Sequence, residues 1–207
     1  EKNPNWNKRI VADVCESIID CINKTAPTVD ETTEYKMLRT TNIRYGKVDT
    51  ENVKYVSKET YEQWTRRQIP QRGDVILTRE APMGEVGMIL TEEKVFLGQR
   101  MVSYRTNPSV MDNEFLLFAL QSNFVQKQVA EKASGATVQH MRVPHTKELV
   151  VPLPSLPQQK EIVRKLKELG QKLLELEAPL CLVTKNYERL KSAILAQELQ
   201  PPQSNAA

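Results

Sequence analysis

The stretch "SLPQQKEIVRKLKELGQKLLELEAPLCLVTKNYERLKSAILAQEL", Ser155 to Leu199, decides the architecture. Ser155 with Gln158 three residues on forms a capping box, in which the two residues satisfy backbone N–H groups that a helix start leaves open. Pro157 falls in the first turn, where its missing N–H costs nothing. A helix therefore begins here. Ile162, Leu166, Leu169, Leu173, Leu176, Leu180, Val183, Tyr187, Leu190 and Ile194 then follow alternating steps of four and three without a slip, a heptad seam about five repeats long. Glu161 with Lys165 and Glu168 with Lys172 add pairs four apart in the favoured polarity. At ~1.5 Å per residue such a helix spans about 65 Å, more than a small globular part covers along one side. The stripe must be buried against another helix, so 155–199 reads as a coiled-coil spacer and dimerisation helix. Gly170 costs ~1 kcal/mol and Pro179 ~3 kcal/mol in a helix interior. Neither lies on the seam, and the unbroken register through Pro179 favours a kinked continuous helix over a hairpin of two shorter ones. The tail 200–207, "QPPQSNAA", is polar and Pro-containing, and is expected to be disordered.

Upstream, residues 1–154 have the mixed punctuation of a compact α+β domain. Ile10, Val14 and Ile18, with Val11 and Ile22 beside them, recur at helical spacing and predict a short amphipathic helix. "YKMLRTTNI" alternates as a strand would, "YGKVD" contains a turn, and Ser57 is placed to cap a helix carrying Tyr61 and Trp64. "GDVILTR", "EVGMIL" and "VFLGQRMVSYRT" are rich in β-branched and aliphatic residues, broken by Pro82, Gly84 and Gly98: a twisted, tightly turned sheet. Asp112 looks like the cap of a helix running through "EFLLFALQSNFVQKQVAEKA", with Phe115, Leu116, Ala119, Leu120 and Phe124 on one face and Gly135 placed to end it. "ELVVPLP" adds a last extended piece.

Composition narrows the function class. The formal charge is +3, too small by itself to announce nucleic acid. Three stretches nevertheless carry cations and no acidic residues: Lys36 to Val48, Lys94 to Met111, and Lys132 to Lys147. Such islands can meet phosphates, or can be solvated faces. No run of about 18 apolar residues exists to span a bilayer, and "EKNPNWNKRI" lacks the apolar stretch of a secretory signal, so a cytoplasmic location is expected. Cys15, Cys21 and Cys181 are odd in number and lack CxxC spacing, which favours ordinary reduced side chains over a disulfide framework or zinc site.

Four stretches together carry a resemblance: "LRTTNIRYGKVD" (38–49), "GDVILTREAPMGEVGMI" (73–89), "GQRMVSYRTNP" (98–108) with "FLLFALQS" after it, and "SGATVQHMRVPHTKELVVPLPSLPQQKEIVRKL" (134–166). In this order and spacing they resemble the target recognition domain and adjoining helix of type I restriction-modification specificity subunits. A full subunit of that family carries two such domains and two such helices. No internal repeat is present here, so the resemblance covers one half. It implies a DNA-binding, non-catalytic chain whose helix pairs antiparallel with that of a second half, as a homodimer or with a different mate. It further implies an assembly that recruits methyltransferase (modification) subunits and restriction/translocase subunits.

The residues supply what such a reader needs, cations to fix register on phosphates and bidentate side chains to question base edges. Arg39, Arg44 and Lys47 surround Thr40, Thr41 and Asn42, though a plain edge strand and turn fits them too. The loop shaped by Pro82 and Gly84 presents Thr78 and Arg79, unless Arg79 simply pairs with Glu80 or Glu85. Gln99 and Arg100 can each make two hydrogen bonds to one base; Gln99 can instead tie down a strand end. Ser134, Gly135 and Thr137 offer hydroxyls and backbone N–H groups to a phosphate, with Gln139, His140 and Arg142 positioned for a groove. His140 and His145, five apart without a ligand pattern, are poor zinc candidates. Met83, Met88, Met101 and Met141 read as core filling, and Trp6 and Trp64 as packed residues.

Catalytic signatures are missing from the sequence. There is no Gly-rich loop with an Asn/Asp-Pro-Pro-aromatic motif for a methyltransferase, no P-loop for a motor, and no acidic pair with a following Lys at nuclease spacing, so no cofactor is expected. Two other classes compete: a coiled-coil assembly or adaptor protein without DNA specificity, for which the heptads alone suffice, and a cryptic nuclease or methyltransferase.

Overall fold

The computed structural model describes residues 6–134 and 139–199. Its strands are β1 (Asn7–Ile10), β2 (Cys15–Asp20), β3 (Tyr35–Leu38), β4 (Ile43–Arg44), β5 (Gly46–Val48), β6 (Lys54–Tyr55), β7 (Val75–Arg79), β8 (Met83–Met88), β9 (Lys94–Leu97), β10 (Met101–Thr106), β11 (Ala133–Ser134), β12 (His140–Met141) and β13 (Val150–Leu153). Its helices are α1 (Lys58–Thr65), α2 (Asn113–Gln121), α3 (Asn123–Glu131), α4 (Val143–Lys147) and α5 (Leu156–Glu198). The fold is α+β, as the sequence predicts.

Six strands form the main sheet in the order β2-β10-β7-β8-β5-β4, antiparallel except where β5 runs beside β8. A three-stranded sheet, β6-β3-β9, pairs β3 parallel to β9. Pleating sorts the side chains to two faces. Val75 and Leu77 of β7 join the cluster that holds Leu116 and Leu120 of α2 and Val125 and Val129 of α3. Ile76 between them joins Leu38, Ile43, Ile89, Val95 and Met101 on the opposite face. Beyond the smaller sheet, Met37, Val56, Tyr61 and Phe96 make a third cluster against α1. Gly87 is required where β5 approaches β8: a Cβ there would stand 2.6 Å from the carbonyl oxygen of Lys47.

Helix starts follow the capping residues. Ser57 accepts from Thr60 N at 3.3 Å and Asp112 from Phe115 N at 3.0 Å. Two expectations are corrected. The amphipathic helix over Ile10–Ile22 is instead β1, a 3-10 turn over Val11–Val14, and β2. Long-range pairing with β13 and β10 outweighs the local spacing, and only Val11 and Val14, on the turn, are fully buried. The single helix after Asp112 is two, because Ser122 adopts extended backbone (φ −64, ψ 148) and its hydroxyl caps α3 at Val125 N. Phe124 accordingly falls off the buried face and is 42% exposed. The expected helix end at Gly135 and the tail 200–207 lie outside the described residues.

The chain divides into two compact units that meet between Val163 and Arg164. The first turns of α5 belong to the globular unit. Gln159 is wholly buried, accepts from Asp112 N at 2.8 Å, and donates to the carbonyls of Val110 and Pro154 at 3.0 and 2.9 Å. The expected capping box holds Ser155 N on Gln158 Oε1 at 3.0 Å. The helix then continues through Pro179 to Glu198, one element rather than a hairpin. No helix among the described residues is long and apolar enough to cross a membrane.

Candidate nucleic-acid interface

Strand directions bring the sequence-predicted loops to one end of the main sheet. β2 and β7 end there, and β8 and β10 begin there, since Met101 pairs with Thr78, Val102 with Asp20 and Met83 with Arg79. The β4–β5 turn faces the same way because β5 is parallel to β8, but stands back along the sheet, with Gly46 beside Gly87 and Lys47 beside Met88. Hydrogen bonds stitch these connections together. Thr40 Oγ1 donates to the Ala81 carbonyl at 2.9 Å, Arg79 N to the Arg100 carbonyl at 2.7 Å, and Arg79 Nη1 to the Met141 carbonyl at 3.1 Å. Arg100 faces Glu80 at 3.3 Å, and Glu80 bridges to His140 through the backbone. Segments 40–42, 79–83, 98–100 and 139–142 thus form one surface, with the β4–β5 hairpin set back beside it.

Within and beside that surface the candidate residues divide. Thr41, Lys47, Gln139 and Arg142 are exposed, and Arg100, with a left-handed backbone (φ 70), keeps half its side chain in solvent. Arg39 and Arg44 are partly exposed, each committing one guanidinium nitrogen to a backbone carbonyl: Arg39 Nη2 to Asn52 at 2.9 Å, Arg44 Nη1 to Thr40 at 2.8 Å. His140 is half-buried. Two candidates are turned inward. Thr78 is fully buried and accepts from Glu85 N at 3.0 Å. Asn42, 3% exposed, accepts from Arg39 N and donates to the Asn52 carbonyl, both at 2.9 Å. Gln99 leans on the Lys24–Thr25 segment, where its oxygen accepts from Lys24 N at 3.2 Å and Thr25 N at 3.3 Å, the strand-end tie that its sequence context allowed. The side chain of Ser134 and all of Thr137 lie outside what is described, as does the side chain of Leu180 on the seam.

Other cations of the basic islands are engaged within the globular unit. Lys36 pairs with Glu93, Lys94 with Glu34, and Lys132 with Glu148. Arg105 grips buried Asp74 with two bonds of 2.9 and 2.8 Å, and the Asp74 contact holds its pKa above the usual arginine value. Burial pushes the Cys15 thiol up to about 12, so it stays protonated and unreactive. Among the described residues no group of three His, Cys, Asp or Glu side chains could hold a metal ion. One surface residue escaped the sequence reading. Tyr45, in the turn between Arg44 and Lys47, is 88% exposed with φ 50. The signal was present in "RYGK", an aromatic between cations at a Tyr-Gly turn.

The globular unit is thus a mixed sheet that gathers cation-bearing loops at one end, and the distal unit a long helix with apolar residues at heptad spacing. Residues 3–180 match the family model described as "Type I restriction modification DNA specificity domain", and the chain belongs to that family. It is 24% identical over 147 residues to the type I restriction enzyme MjaVIII specificity subunit of Methanocaldococcus jannaschii, covering 69% of this chain and 34% of that protein. Against the EcoBI specificity subunit of Escherichia coli it is 22% identical over 166 residues, covering 80% of this chain and 35% of that one. The HsdS subunit of Thermoanaerobacter tengcongensis shares the fold, with a TM-score of 0.64 at 20% identity over 99% of this chain and 52% of its own. The chain thus spans about a third of the curated relatives and about half of the solved structure.

Proposed function

We propose that this chain is a non-catalytic reader of one short block of duplex DNA, half of a specificity subunit that directs methyltransferase and restriction subunits to a bipartite site. Residues 1–154 hold the reading loops. Helix 155–199 pairs through its heptad seam with a second such helix and spaces the two readers. A homodimer is two-fold symmetric and reads a palindromic, bipartite site, the helix length fixing the gap; a different mate gives an asymmetric site. Catalysis in this reading belongs to the other subunits, in the cytoplasm, and the chain uses no cofactor or metal.

The observation that carries the reading is the convergence of four separate loops on one end of the sheet, with Thr41, Arg100, Gln139 and Arg142 reaching solvent there. Arg39, Arg44, Arg79 and His140 stand behind them, partly buried and hydrogen-bonded. Thr78 and Asn42 support the loops from inside, and Gln99 anchors one of them. The exposed seam by itself would also serve a coiled-coil adaptor. A shift assay on duplex DNA across salt concentrations separates the two: a reader loses affinity steeply, log K falling by about 0.9 per phosphate neutralised for each decade of salt. Replacing Gln139, His140 and Arg142 by Ala should abolish the preference for a specific duplex over a random one. A chain that ignores duplex DNA both alone and beside methyltransferase subunits would leave only the adaptor.

A further inference from the structure

The β4–β5 hairpin carries the most exposed large apolar side chain among the described residues, Tyr45 at 88%. Its ring and hydroxyl together can serve a partner that is apolar on one side and polar on the other. The hairpin is rigid: Tyr45 (φ 50) and Gly46 (φ 83) both adopt the left-handed conformation of a two-residue turn. Arg44 Nη1 donates back to the Thr40 and Ile43 carbonyls at 2.8 and 2.5 Å. The Gln121 side chain of α2 sits against Gly46, so close that an added Cβ would be 3.2 Å from its amide nitrogen. A left-handed tyrosine is strained where Asn or Gly would sit easily. The ring is therefore held at this tip against the local backbone preference.

Strand register tells how far back the tip stands. Gly46 pairs with Gly87, four residues along β8 from Met83 at the β7–β8 turn, a setback of about 13 Å at ~3.3 Å per residue. Tyr45 and the length of its side chain recover part of that. A B-DNA major groove is about 8.5 Å deep. When loops 79–83 and 98–100 reach the floor of the groove, an element set back by that order meets its sugar–phosphate rim. Lys47 stands exposed two residues beyond Tyr45, and Arg44 one before it.

We infer that Tyr45 is a DNA-backbone contact: its ring packs on the groove rim and its hydroxyl donates to a phosphate, fixing the register in which the other loops read. The inference rests on the duplex-reading function proposed above. Its partner is the sugar–phosphate backbone, not a base edge, and this gives it a signature of its own. A backbone contact weakens all duplexes alike, whereas a base contact changes the preference among them.

The test uses the full chain, its preferred duplex and a random duplex, with Tyr45→Ala, Tyr45→Asn and Lys47→Ala. Asn is favoured in the left-handed conformation, so Tyr45→Asn keeps the turn while removing the ring. Both Tyr45 variants should bind both duplexes about tenfold more weakly, the scale of one hydrogen bond to a charged group, with the specific-to-random ratio and the salt slope unchanged. Lys47→Ala should weaken both duplexes and lower the salt slope by about one. Unchanged affinity, a loss confined to the preferred duplex, or a loss in Tyr45→Ala alone with Tyr45→Asn intact each overturns the inference and leaves the duplex-reading function standing. A wild-type chain indifferent to duplex DNA overturns both.

Discussion

The globular unit and the distal part of α5 treat their apolar residues in opposite ways. In the first, Val75, Leu77, Leu116, Leu120, Met141 and Val151 are almost wholly hidden, and buried polar groups such as Gln159 and Asp74 are paired. In the second, Leu169, Leu173, Leu176, Val183, Tyr187 and Leu190 are between 52% and 68% exposed. Burying each such side chain is worth about 1.5–3 kcal/mol, so one region has collected its stabilisation within the chain and the other has left it for a partner. The difference separates a self-sufficient globular unit from a helix whose apolar stripe is left uncovered, which the proposed function takes as reader and stalk.

Disrupting the stalk gives the largest effect. Leu173→Asp combined with Leu176→Asp places four charges in each seam of the proposed dimer and should leave only monomer in sedimentation, without lowering the melting temperature of the globular unit. Unchanged mass would break the contrast. Next, Arg105→Met leaves Asp74 buried and uncompensated, which should cost about 3–5 kcal/mol in urea unfolding of the globular unit while the mass in sedimentation is untouched. Gln159→Leu orphans the Asp112 N–H and two carbonyls; a loss of about 1–3 kcal/mol would show that the first turns of α5 stabilise the globular unit. Thr78→Val should cost about 1 kcal/mol through the orphaned Glu85 N–H and leave base preference alone, sharpening the line between loop support and loop contact.

Legibility in the sequence follows the same division. Where structure is dictated locally, the residues announce it: Ser57, Asp112 and the Ser155–Gln158 pair start helices, and the β-branched runs at 75–79 and 101–106 are strands. The region 10–22 misled because a 3-10 turn between two strands resets the alternation and mimics a four-residue repeat, while the pairings that decide it lie some 80–140 residues away in sequence, at β10 and β13. Ser122 was read as helix interior because its capping role depends on a backbone break that the apolar pattern does not mark. For the interface, motif identity found the loops, but only strand direction revealed that they share one end of the sheet. Whether Thr78 faced solvent or core depended on a bond to Glu85 N across the β7–β8 hairpin, which no local pattern encodes.

Selecting bound duplexes from a random DNA pool with the purified wild-type chain tests the central claim most directly. The account predicts enrichment of one short block of bases, repeated in inverted orientation at a fixed separation when the chain pairs with itself. A pool that emerges with no enriched bases, whether the chain is offered alone or with methyltransferase subunits, would contradict it.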